Sequence, residues 1–472
     1  MKKALLIAAV AAMAVPAFAA QKDGCTYPTI DGYTFENLWI NSTGTGQWHQ
    51  YVTDGIFPTV EKITMAAPLG DKIYVASSAD WGVDEAGNPM MVDGNGLLLV
   101  FDYNTGEYIK SLDLTLDGAP YAGTLCANNI AVDDFGHLWV AGTVFTPMSE
   151  SGDATPFKIY QVDPETGVMT LAVAPEIDDV KSGRTDFVSV SGDITRQEAN
   201  LVVMAAPGQD SQALVIYNWF YEKGSDEAVG NFSDGSIVAE MEETFPEQTN
   251  WGQCCKVFIV PDEDYSGSLF YTDGNSTYPA IYDLEGAMTS SFADVVEEEG
   301  ASLGTYKFYP LAAPCGAVEF TLGDDTFLVY GYEEHANSDT YNQRNRANLC
   351  RYGEVGDMST LEQFFLFPEN GLMNDGIANA YGGRRLHTFC TTTVTDAAGK
   401  QAVEILNVKP GNGMSLYRLA ESGYSAGLEA ATIVDNNDAP VEYFNLQGMR
   451  VENPENGLFI RRQGANATKV IL

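Results

Sequence analysis

The best-patterned group of possible metal ligands in this sequence lies between residues 262 and 273. Asp262, Asp264 and Ser266 place oxygen-bearing side chains at alternate positions before Gly267, and Asp273 follows at the twelfth position. Ca²⁺ prefers several oxygen ligands at such a spacing, with glycine allowing the sharp bend of the loop. The last ligand is Asp rather than a bidentate Glu, and the flanking residues have the composition of strands. A β-hairpin calcium loop and an ordinary polar turn therefore both fit, and no other cofactor is expected.

Evidence for a catalytic centre is thin. The sequence has no H-E-x-x-H, no phosphate-cradling G-x-x-x-x-G-K and no G-x-G-x-x-G. The four histidines stand singly, and a catalytic base needs an orienting partner that spacing alone does not reveal. Acidic residues are so numerous that any pair could be chosen as the two carboxylates of a glycosidase. No catalytic residue is therefore predicted.

A second group of candidates consists of aromatic and basic residues expected in connecting loops. They are Trp48, Trp81, Trp251, Tyr278, His335, Tyr341, Arg344 and Arg346. Exposed aromatic rings stack on sugar rings, and arginine forks bind carboxylates. The alternative is that the tryptophans pack on strand edges and the arginines pair with neighbouring acids. Five arginines are conspicuous in the last third of the chain, namely Arg344, Arg346, Arg351, Arg384 and Arg385.

The overall charge limits the partners. The 472 residues include 65 Asp and Glu against 25 Lys and Arg, which gives a formal net charge of −40. Nucleic acids and anionic membrane surfaces require clustered basic residues, so neither is expected as a partner. The 45% hydrophobic content is enough for a folded core.

Residues 1–20 have the three parts of a secretory signal peptide. Lys2 and Lys3 precede an apolar run from Ala4 to Val15, and Ala17-Phe18-Ala19 forms a small-x-small cleavage motif. No later segment approaches the 18 or so apolar residues of a membrane span. The expected location is the periplasm, the cell surface or the extracellular medium.

The seven cysteines are too sparse for a disulfide scaffold, and their number is odd. Buried free thiols are the simpler interpretation, because unpaired cysteine is among the most buried residue types. If one bridge forms between neighbouring segments, Cys350 and Cys390 are the favoured pair.

One plan of four strands recurs along the chain. Each copy has an apolar strand, a turn, a second strand, a loop, a third strand, a glycine-containing turn and a fourth strand. The first strands begin near residues 58, 122, 184, 253, 312 and 374. In two copies the turn before the fourth strand reads Asp102-Tyr-Asn-Thr-Gly106 and Asp163-Pro-Glu-Thr-Gly167. Regular units of this kind predict an all-β fold, a β-propeller with six blades favoured and seven as the alternative. An array of β-sandwiches is the competing architecture.

The domain limits follow from this repeat. The propeller is expected over residues 58–421, a linker over 422–440 and a small β-sandwich-like tail over 441–472. Residues 21–57 form an N-terminal segment, in which Phe35-Glu-Asn-Leu-Trp-Ile40 has the composition of a strand that could close the ring.

Two short segments resemble known families of secreted bacterial proteins. Asp133-Asp134-Phe-Gly-His-Leu-Trp-Val140 resembles the strand-turn-strand signature of NHL-like propellers. The tail is similar to the C-terminal sorting domain of the Por-type (type IX) secretion system of Bacteroidetes, through Tyr443-Phe-Asn-Leu-Gln-Gly448, Arg450-Val451, Gly457-Leu-Phe-Ile460 and Lys469-Val-Ile-Leu472. The second resemblance implies recognition of the tail by secretion machinery.

The functional hypothesis is an exported, non-enzymatic propeller that binds an extracellular glycan or protein through its loops. An alternative is a polysaccharide lyase or hydrolase whose arginines neutralise the carboxylates of an acidic glycan. A structural surface protein is the third possibility. The fold alone does not choose among them.

Overall fold

A computed structural model describes the chain at the positions that follow. They are residues 21–54, 63–83, 89–123, 126–127, 129–142, 158–173, 183–184, 188–195, 198–207, 215–219, 236–240, 256–259, 269–272, 280–282, 288–291, 302–303, 306–307, 316–332, 346–370, 387–409, 412–426, 441–444, 450–451, 458–463 and 466–471. Within these ranges the chain is almost entirely β-structure. One helix among them, α1, was not anticipated from the sequence.

The N-terminal elements are β1 (Tyr33–Ser42) and α1 (Gln47–Thr53). The first blade contains β2 (Ile63–Leu69), β3 (Lys72–Val83), β4 (Pro89–Asp102) and β5 (Tyr108–Asp113). Three two-residue strands follow it, β6 (Thr115–Leu116), β7 (Ala119–Pro120) and β8 (Ala122–Gly123). The second blade contains β9 (Asn129–Val132), β10 (Leu138–Ala141), β11 (Ile159–Val162) and β12 (Val168–Val173).

The third blade begins with the short β13 (Gly183–Arg184) and contains β14 (Val188–Asp193), β15 (Glu198–Pro207), β16 (Val215–Trp219) and β17 (Ser236–Glu240). The fourth contains β18 (Lys256–Ile259), β19 (Leu269–Thr272), β20 (Ala280–Tyr282) and β21 (Met288–Ser291), followed by the small hairpin of β22 (Ser302–Leu303) and β23 (Tyr306–Lys307). The fifth contains β24 (Ala317–Leu322), β25 (Asp325–Tyr332), β26 (Arg346–Arg351) and β27 (Glu362–Phe367), with a 3₁₀ turn at Met358–Thr360. The sixth contains β28 (Thr388–Thr395), β29 (Gln401–Lys409) and β30 (Gly413–Glu421).

The six sheets form a β-propeller, as the repeat predicts. The innermost strands of neighbouring blades touch where β2 meets β9 and β28, where β14 meets β18 and where β24 meets β28. Hydrogen bonds join the other neighbours. The Ile194 N–H donates to Asp133 Oδ2 between the second and third blades, and the Met358 N–H donates to Ser290 Oγ between the fourth and fifth. Contacts therefore run all the way round the ring.

The sixth blade departs from the sequence interpretation. Its fourth strand is β1, which pairs antiparallel with β30 from Tyr33 opposite Glu421 to Ser42 opposite Gly413. The sheet order is β1-β30-β29-β28, so β28 is the innermost of the described strands of this blade. The segment near residue 374 that was expected to be the first strand lies outside the described residues. One strand from the N-terminal segment therefore completes the last blade.

The core fills the spaces between blades. Trp39, Trp48 and Phe101 are fully buried between the sixth and first blades, and Phe35, Phe367 and Tyr417 pack between the fifth and sixth. Alternation along each strand directs one set of residues to each neighbouring blade. The Trp39 indole Nε1–H also donates to the Tyr103 carbonyl across the junction at 2.9 Å.

The cysteine and tail predictions are partly revised. Cys25, Cys126, Cys350 and Cys390 form no disulfide, so the predicted Cys350–Cys390 bridge is wrong. Cys350 and Cys390 lie in strands of different blades, β26 and β28.

The tail contains β31 (Val441–Phe444), β32 (Arg450–Val451), β33 (Leu458–Gln463) and β34 (Asn466–Ile471). These strands form one antiparallel sheet of order β32-β31-β33-β34. No helix in the described part of the chain is long and apolar enough to cross a lipid bilayer.

Candidate functional site

The antiparallel order of each blade gives the ring two different faces. The turns between strands one and two and between strands three and four lie on what we call the turn face, which includes residues 133–137, 163–167 and 396–400. The ends of strands two and three, such as Val83 with Pro89 and Tyr332 with Arg346, point the chain to the opposite end, which we call the loop face.

On the turn face, Asp133, His137 and Asp193 bring three potential ligand atoms together. These atoms all lie within 4.8 Å of one another. His137 Nδ1 is 3.0 Å from Asp133 Oδ2 and 3.4 Å from Asp193 Oδ1. Asp133 and His137 belong to the turn between β9 and β10, and Asp193 ends β14, so the cluster crosses from the second blade to the third.

Asp133 organises the turn that carries the histidine. Its Oδ1 accepts hydrogen bonds from the Phe135 and His137 backbone N–H groups, at 3.0 and 2.8 Å. Its Oδ2 accepts from the Ile194 N–H of the third blade at 2.9 Å. Gly136 follows with a φ of 85°, a conformation that favours glycine. Both the backbone and the ring of His137 are therefore positioned by one carboxylate.

The three side chains differ in their access to solvent. The Asp133 and Asp193 side chains are 0% and 2% exposed, whereas the His137 side chain is 29% exposed. Asp193 Oδ1 also accepts from the Thr195 N–H and hydroxyl, at 2.9 and 2.7 Å. The arrangement is thus a partly exposed imidazole over two buried carboxylates. Chemically, it can orient the imidazole or hold a cation.

A second copy of this turn stands in the sixth blade at residues 396–400. Asp396 Oδ1 accepts from the Ala398 and Lys400 N–H groups at 2.8 and 2.9 Å, and Asp396 Oδ2 accepts from the Ser425 N–H at 2.9 Å. Lys400 occupies the position that His137 has in the second blade. The turn itself therefore forms without a histidine.

The sequence pattern indicates only part of this cluster. Residues 133–140 have the pattern of a strand-turn-strand unit, in which His137 stands as a single histidine. Asp193 lies 56 positions after His137, so no local spacing joins them. Only aligning the first hairpins of consecutive blades would have suggested that the two turns meet.

Ser425 lies within a Gly423-Tyr-Ser-Ala-Gly427 segment, which matches the G-x-S-x-G spacing of hydrolase nucleophiles. That motif requires a strand, a tight turn and a helix around the serine. Here Ser425 follows β30 on the turn face, and its N–H supports Asp396. We assign Ser425 to the support of this turn.

Of the eight loop-face candidates, three lie in the described residues, and each of these three lies in a helix or a strand. Trp48 is fully buried in α1 and Arg346 is 7% exposed at the start of β26, so neither is the exposed loop side chain that was expected. Trp81 lies in β3, opposite Met91 of β4, rather than in a loop. Trp251, Tyr278, His335, Tyr341 and Arg344 lie outside the described residues, as do the calcium candidates Asp262, Asp264, Ser266 and Asp273.

The β3–β4 hairpin continues toward the loop face beyond the strands that flank it. β2 pairs with β3 only as far as Ser77, and β5 pairs with β4 only from Leu97. Beyond a bulge, residues 79–83 pair with residues 89–93 as a two-stranded arm. Five residue pairs correspond to an arm roughly 15 Å long.

Several basic side chains are already engaged by acids of the protein. Arg351 contacts Glu362 at 2.8 Å and Asp325 at 3.5 Å. Glu165 of the second blade holds Lys72 and Lys110 of the first, at 2.6 and 3.2 Å. Arg351 therefore forms the ion pairs with acids of the protein that the alternative interpretation predicts.

Comparison with known proteins gives structural likenesses only. No protein-family model and no curated protein matches the chain. Among solved structures, the chain is similar to a DUF4623 family protein from Bacteroides eggerthii, at 12% identity over 84% of this chain and 77% of that chain, with a TM-score of 0.47. It is also similar to a putative glycoside hydrolase from Parabacteroides distasonis (10% identity, 61% and 84% covered, TM-score 0.34). A third is a family 25 polysaccharide lyase, an ulvan lyase (9%, 76% and 82%, 0.32).

These comparisons correct one expectation. The expectation of a non-enzymatic binding protein is corrected, since the similar structures reported above include a putative glycoside hydrolase and a polysaccharide lyase. Besides the hydrolase and the lyase, they include a sialidase, an arabinanase and a xylosidase. The enzymatic alternative fits the comparisons better.

Proposed function

We propose that this protein cleaves an acidic polysaccharide outside the cytoplasm, with the substrate bound on the loop face of the propeller. The observation that carries this proposal is the β3–β4 arm. It rises beyond the four-stranded part of the first blade and carries Trp81. The arm is proposed to form one side of a binding surface for several sugar units.

An aromatic ring on such an arm suits carbohydrate. Sugar rings have apolar faces that stack on indole and phenol rings, while their hydroxyl groups reach polar neighbours. Trp81 is the candidate on the arm. Trp251, Tyr278, His335 and Tyr341, predicted in other connections, are proposed to complete the same surface.

The acidic character of the substrate is inferred from the arginines. Arg344, Arg384 and Arg385 precede or follow strands of the fifth and sixth blades, and guanidinium groups bind carboxylates with two parallel hydrogen bonds. Neutralising a uronate carboxylate assists removal of the adjacent C5 proton in an elimination. It equally orients a uronate for hydrolysis. Both reactions remain within the proposal, and the assay separates them.

Export agrees with an extracellular substrate. Residues 1–20 are proposed as a cleaved leader, and the four-stranded tail is proposed as a sorting domain of the type IX kind from a member of the Bacteroidetes. The resemblance of residues 133–140 to NHL-like propellers belongs to the same proposal.

The test is incubation of the purified protein with a panel of uronate-containing polysaccharides. Elimination gives an unsaturated product that absorbs ultraviolet light, and hydrolysis gives new reducing ends without that absorbance. We expect one of these signals. We also expect Trp81→Ala to reduce the rate at low substrate about fivefold or more, since stacking is worth about 1 kcal/mol or more.

Phe135→Ala is the matched control. Phe135 is an exposed aromatic residue, 56% accessible, and it lies on the turn face. Its removal should leave the rate unchanged. Absence of any product from the whole panel, or equal losses in Trp81→Ala and Phe135→Ala, would contradict the proposal.

A further inference from the structure

We propose that Asp133, His137 and Asp193 bind a divalent transition-metal ion that joins the second and third blades on the turn face. The site lies at the end of the ring opposite the loop face and does not depend on the proposed function. Zn²⁺ is the ion we take as the probe.

The distances between the ligand atoms fit such an ion. Zn²⁺ bonds of about 2.0–2.2 Å to nitrogen and oxygen place neighbouring ligand atoms about 3 to 3.5 Å apart. His137 Nδ1 lies 3.0 Å from one carboxylate oxygen and 3.4 Å from the other. Little movement is needed for all three atoms to face one cation.

A hydrogen atom on His137 Nδ1 can bond to fewer of the three ligand groups than a metal ion can. Nδ1 can carry a single hydrogen, and a hydrogen at that position points well at only one acceptor. The 3.0 Å contact with Asp133 suits a hydrogen bond, whereas 3.4 Å to Asp193 is long for one. Two buried carboxylates converge on the same nitrogen, and burial of negative charge is costly unless a positive charge is close. A divalent ion meets all three groups at once.

The backbone holds the ligands in place and leaves room for the ion's bond. Asp133 Oδ1 accepts hydrogen bonds from two backbone N–H groups. Asp133 Oδ2 accepts one backbone hydrogen bond, from the Ile194 N–H, which leaves this oxygen a second lone pair for the ion. Such fixed hydrogen bonds to ligating carboxylates are typical of metal sites. The 29% exposure of His137 leaves one side open, through which ions enter and water completes the coordination.

The turn at residues 396–400 shows what the histidine adds. The aspartate accepts the same pattern of backbone hydrogen bonds in both turns, but Lys400 occupies the position of His137. The N–H that reaches Oδ2 comes from Ser425, whereas in the second blade it comes from Ile194, which is next to Asp193. His137 and Asp193 are therefore not requirements of the turn. The nitrogen ligand also selects the metal, because imidazole suits Zn²⁺, Ni²⁺ and Co²⁺ whereas Ca²⁺ and Mg²⁺ prefer oxygen.

The experiment uses the full chain, stripped with EDTA and titrated calorimetrically with ZnCl₂, with CaCl₂ as the ion control. We expect Asp193→Asn to remove one zinc per chain or to weaken that site about 100-fold, because a ligand charge is lost. Zinc should raise the Tm of the unmodified protein and not that of the variant. With Co²⁺ as the probe, the visible absorption of a histidine-bound ion should disappear in the variant.

Two further variants make the result decisive. His137→Lys copies the turn at 396–400 and places an ammonium beside the two carboxylates, so we expect it to fold without metal and to lose the zinc response. Asp396→Asn alters the related turn and should keep the full zinc response. Equal zinc binding by the unmodified protein, Asp193→Asn and His137→Lys would overturn the proposal. So would an equal loss in Asp396→Asn.

Discussion

Aspartates that begin turns control the local geometry of several blades. Asp102 and Asp163 each accept hydrogen bonds from the backbone N–H groups two and three residues later. Donation from the Glu165 and Thr166 N–H groups lowers the pKa of Asp163. Asp396 is held in the same manner across the Asp396–Lys400 turn, and its pKa is lowered chiefly by the Ser425 N–H. Because these hydrogen bonds favour the ionised carboxylate, each turn is strongest when its aspartate is charged.

Replacing Asp396 by Asn should therefore destabilise the protein in a pH-dependent way. The folded-state pKa is depressed, so the contribution of Asp396 is fully present above the unfolded value of about 3.9 and is lost as the pH falls through the folded value. The urea midpoints of the two proteins should differ at pH 7 and converge below about pH 4. Asp324→Asn, in an exposed turn, is the control and should not shift the midpoint at pH 7.

The glycines that close the two D-x-x-T-G turns should tolerate no side chain. Gly106 and Gly167 have φ values of 66° and 75°. A Cβ on Gly106 would lie 2.5 Å from Trp39 Cε3, and a Cβ on Gly167 would lie 2.4 Å from the Asp113 carbonyl oxygen. We expect each Gly→Ala change to cost about 2–5 kcal/mol in unfolding free energy, from backbone strain and overpacking together.

Gly136 separates those two contributions. Its φ is 85°, but no atom lies within 4 Å of a Cβ placed there. Gly136→Ala should cost only about 1–2 kcal/mol, the strain alone. Equal losses in all three variants, measured by urea unfolding, would show that contact with the neighbouring blade is unimportant.

At the scale of elements, β1 joins the two ends of the propeller chain. Phe35 stacks on Tyr417 with ring centroids 5.2 Å apart on the side of the fifth blade, while Trp39 is buried against the first. A bulge between Asn37 and Trp39 produces this change of side. Tyr33 adds a hydrogen bond to the Leu322 carbonyl of the fifth blade at 2.9 Å. One strand thus contacts three blades.

A chain that begins at residue 43 should therefore lose cooperative unfolding and regain it when a peptide of residues 21–42 is added. The peptide restores the fourth strand of the sixth sheet and the contacts of Phe35 and Trp39. Circular dichroism during urea unfolding measures the recovery. The same peptide with Trp39→Ala should restore little, since loss of a fully buried tryptophan costs about 3–5 kcal/mol. Equal rescue by both peptides would contradict this role.

The elements that the sequence predicted well are those with local signals. β3, β10, β25 and β29 are rich in β-branched and aromatic residues and are bounded by Gly or Asp. This local composition is the signal from which the four-strand repeat is predicted. The composition of residues 35–40 also indicates a strand that could close the ring, but not its partner, because pairing between residues 33–42 and 413–421 leaves no mark in local periodicity. The helix α1 was missed because its seven residues are too few for a helical repeat.

The candidate site was harder to predict than the fold for the same reason. Trp48 and Arg346 were assigned to exposed loops on residue type, yet both are buried, because an indole or a guanidinium has no local signal of burial. Asp133, His137 and Asp193 meet only through the contact between two blades. A site composed of side chains from different repeats requires knowledge of how the repeats are arranged.

At the scale of the whole molecule, the net charge of −40 opposes the approach of an acidic polysaccharide. Salt screens this repulsion over a Debye length of about 10 Å at 0.1 M. If the proposed function holds, the KM for a uronate polymer should fall as NaCl rises from about 0.01 to 0.15 M, with little change in kcat. Initial rates at several substrate concentrations measure this effect. Rising KM with salt would instead indicate that local arginine contacts dominate the association.

The pairing of β1 with β30 also determines when the molecule can become whole. Tyr33 of β1 pairs with Glu421 of β30, which is 388 positions later in the chain. The first strand of the ring to be synthesised therefore pairs with the last one. Contacts between such distant parts of a chain form slowly, because a long loop must close first. During synthesis the unpaired edge of this strand is a place where another chain could add. That edge stays open until residue 421 has been made, so a copy of the chain that ends earlier keeps it exposed to such addition.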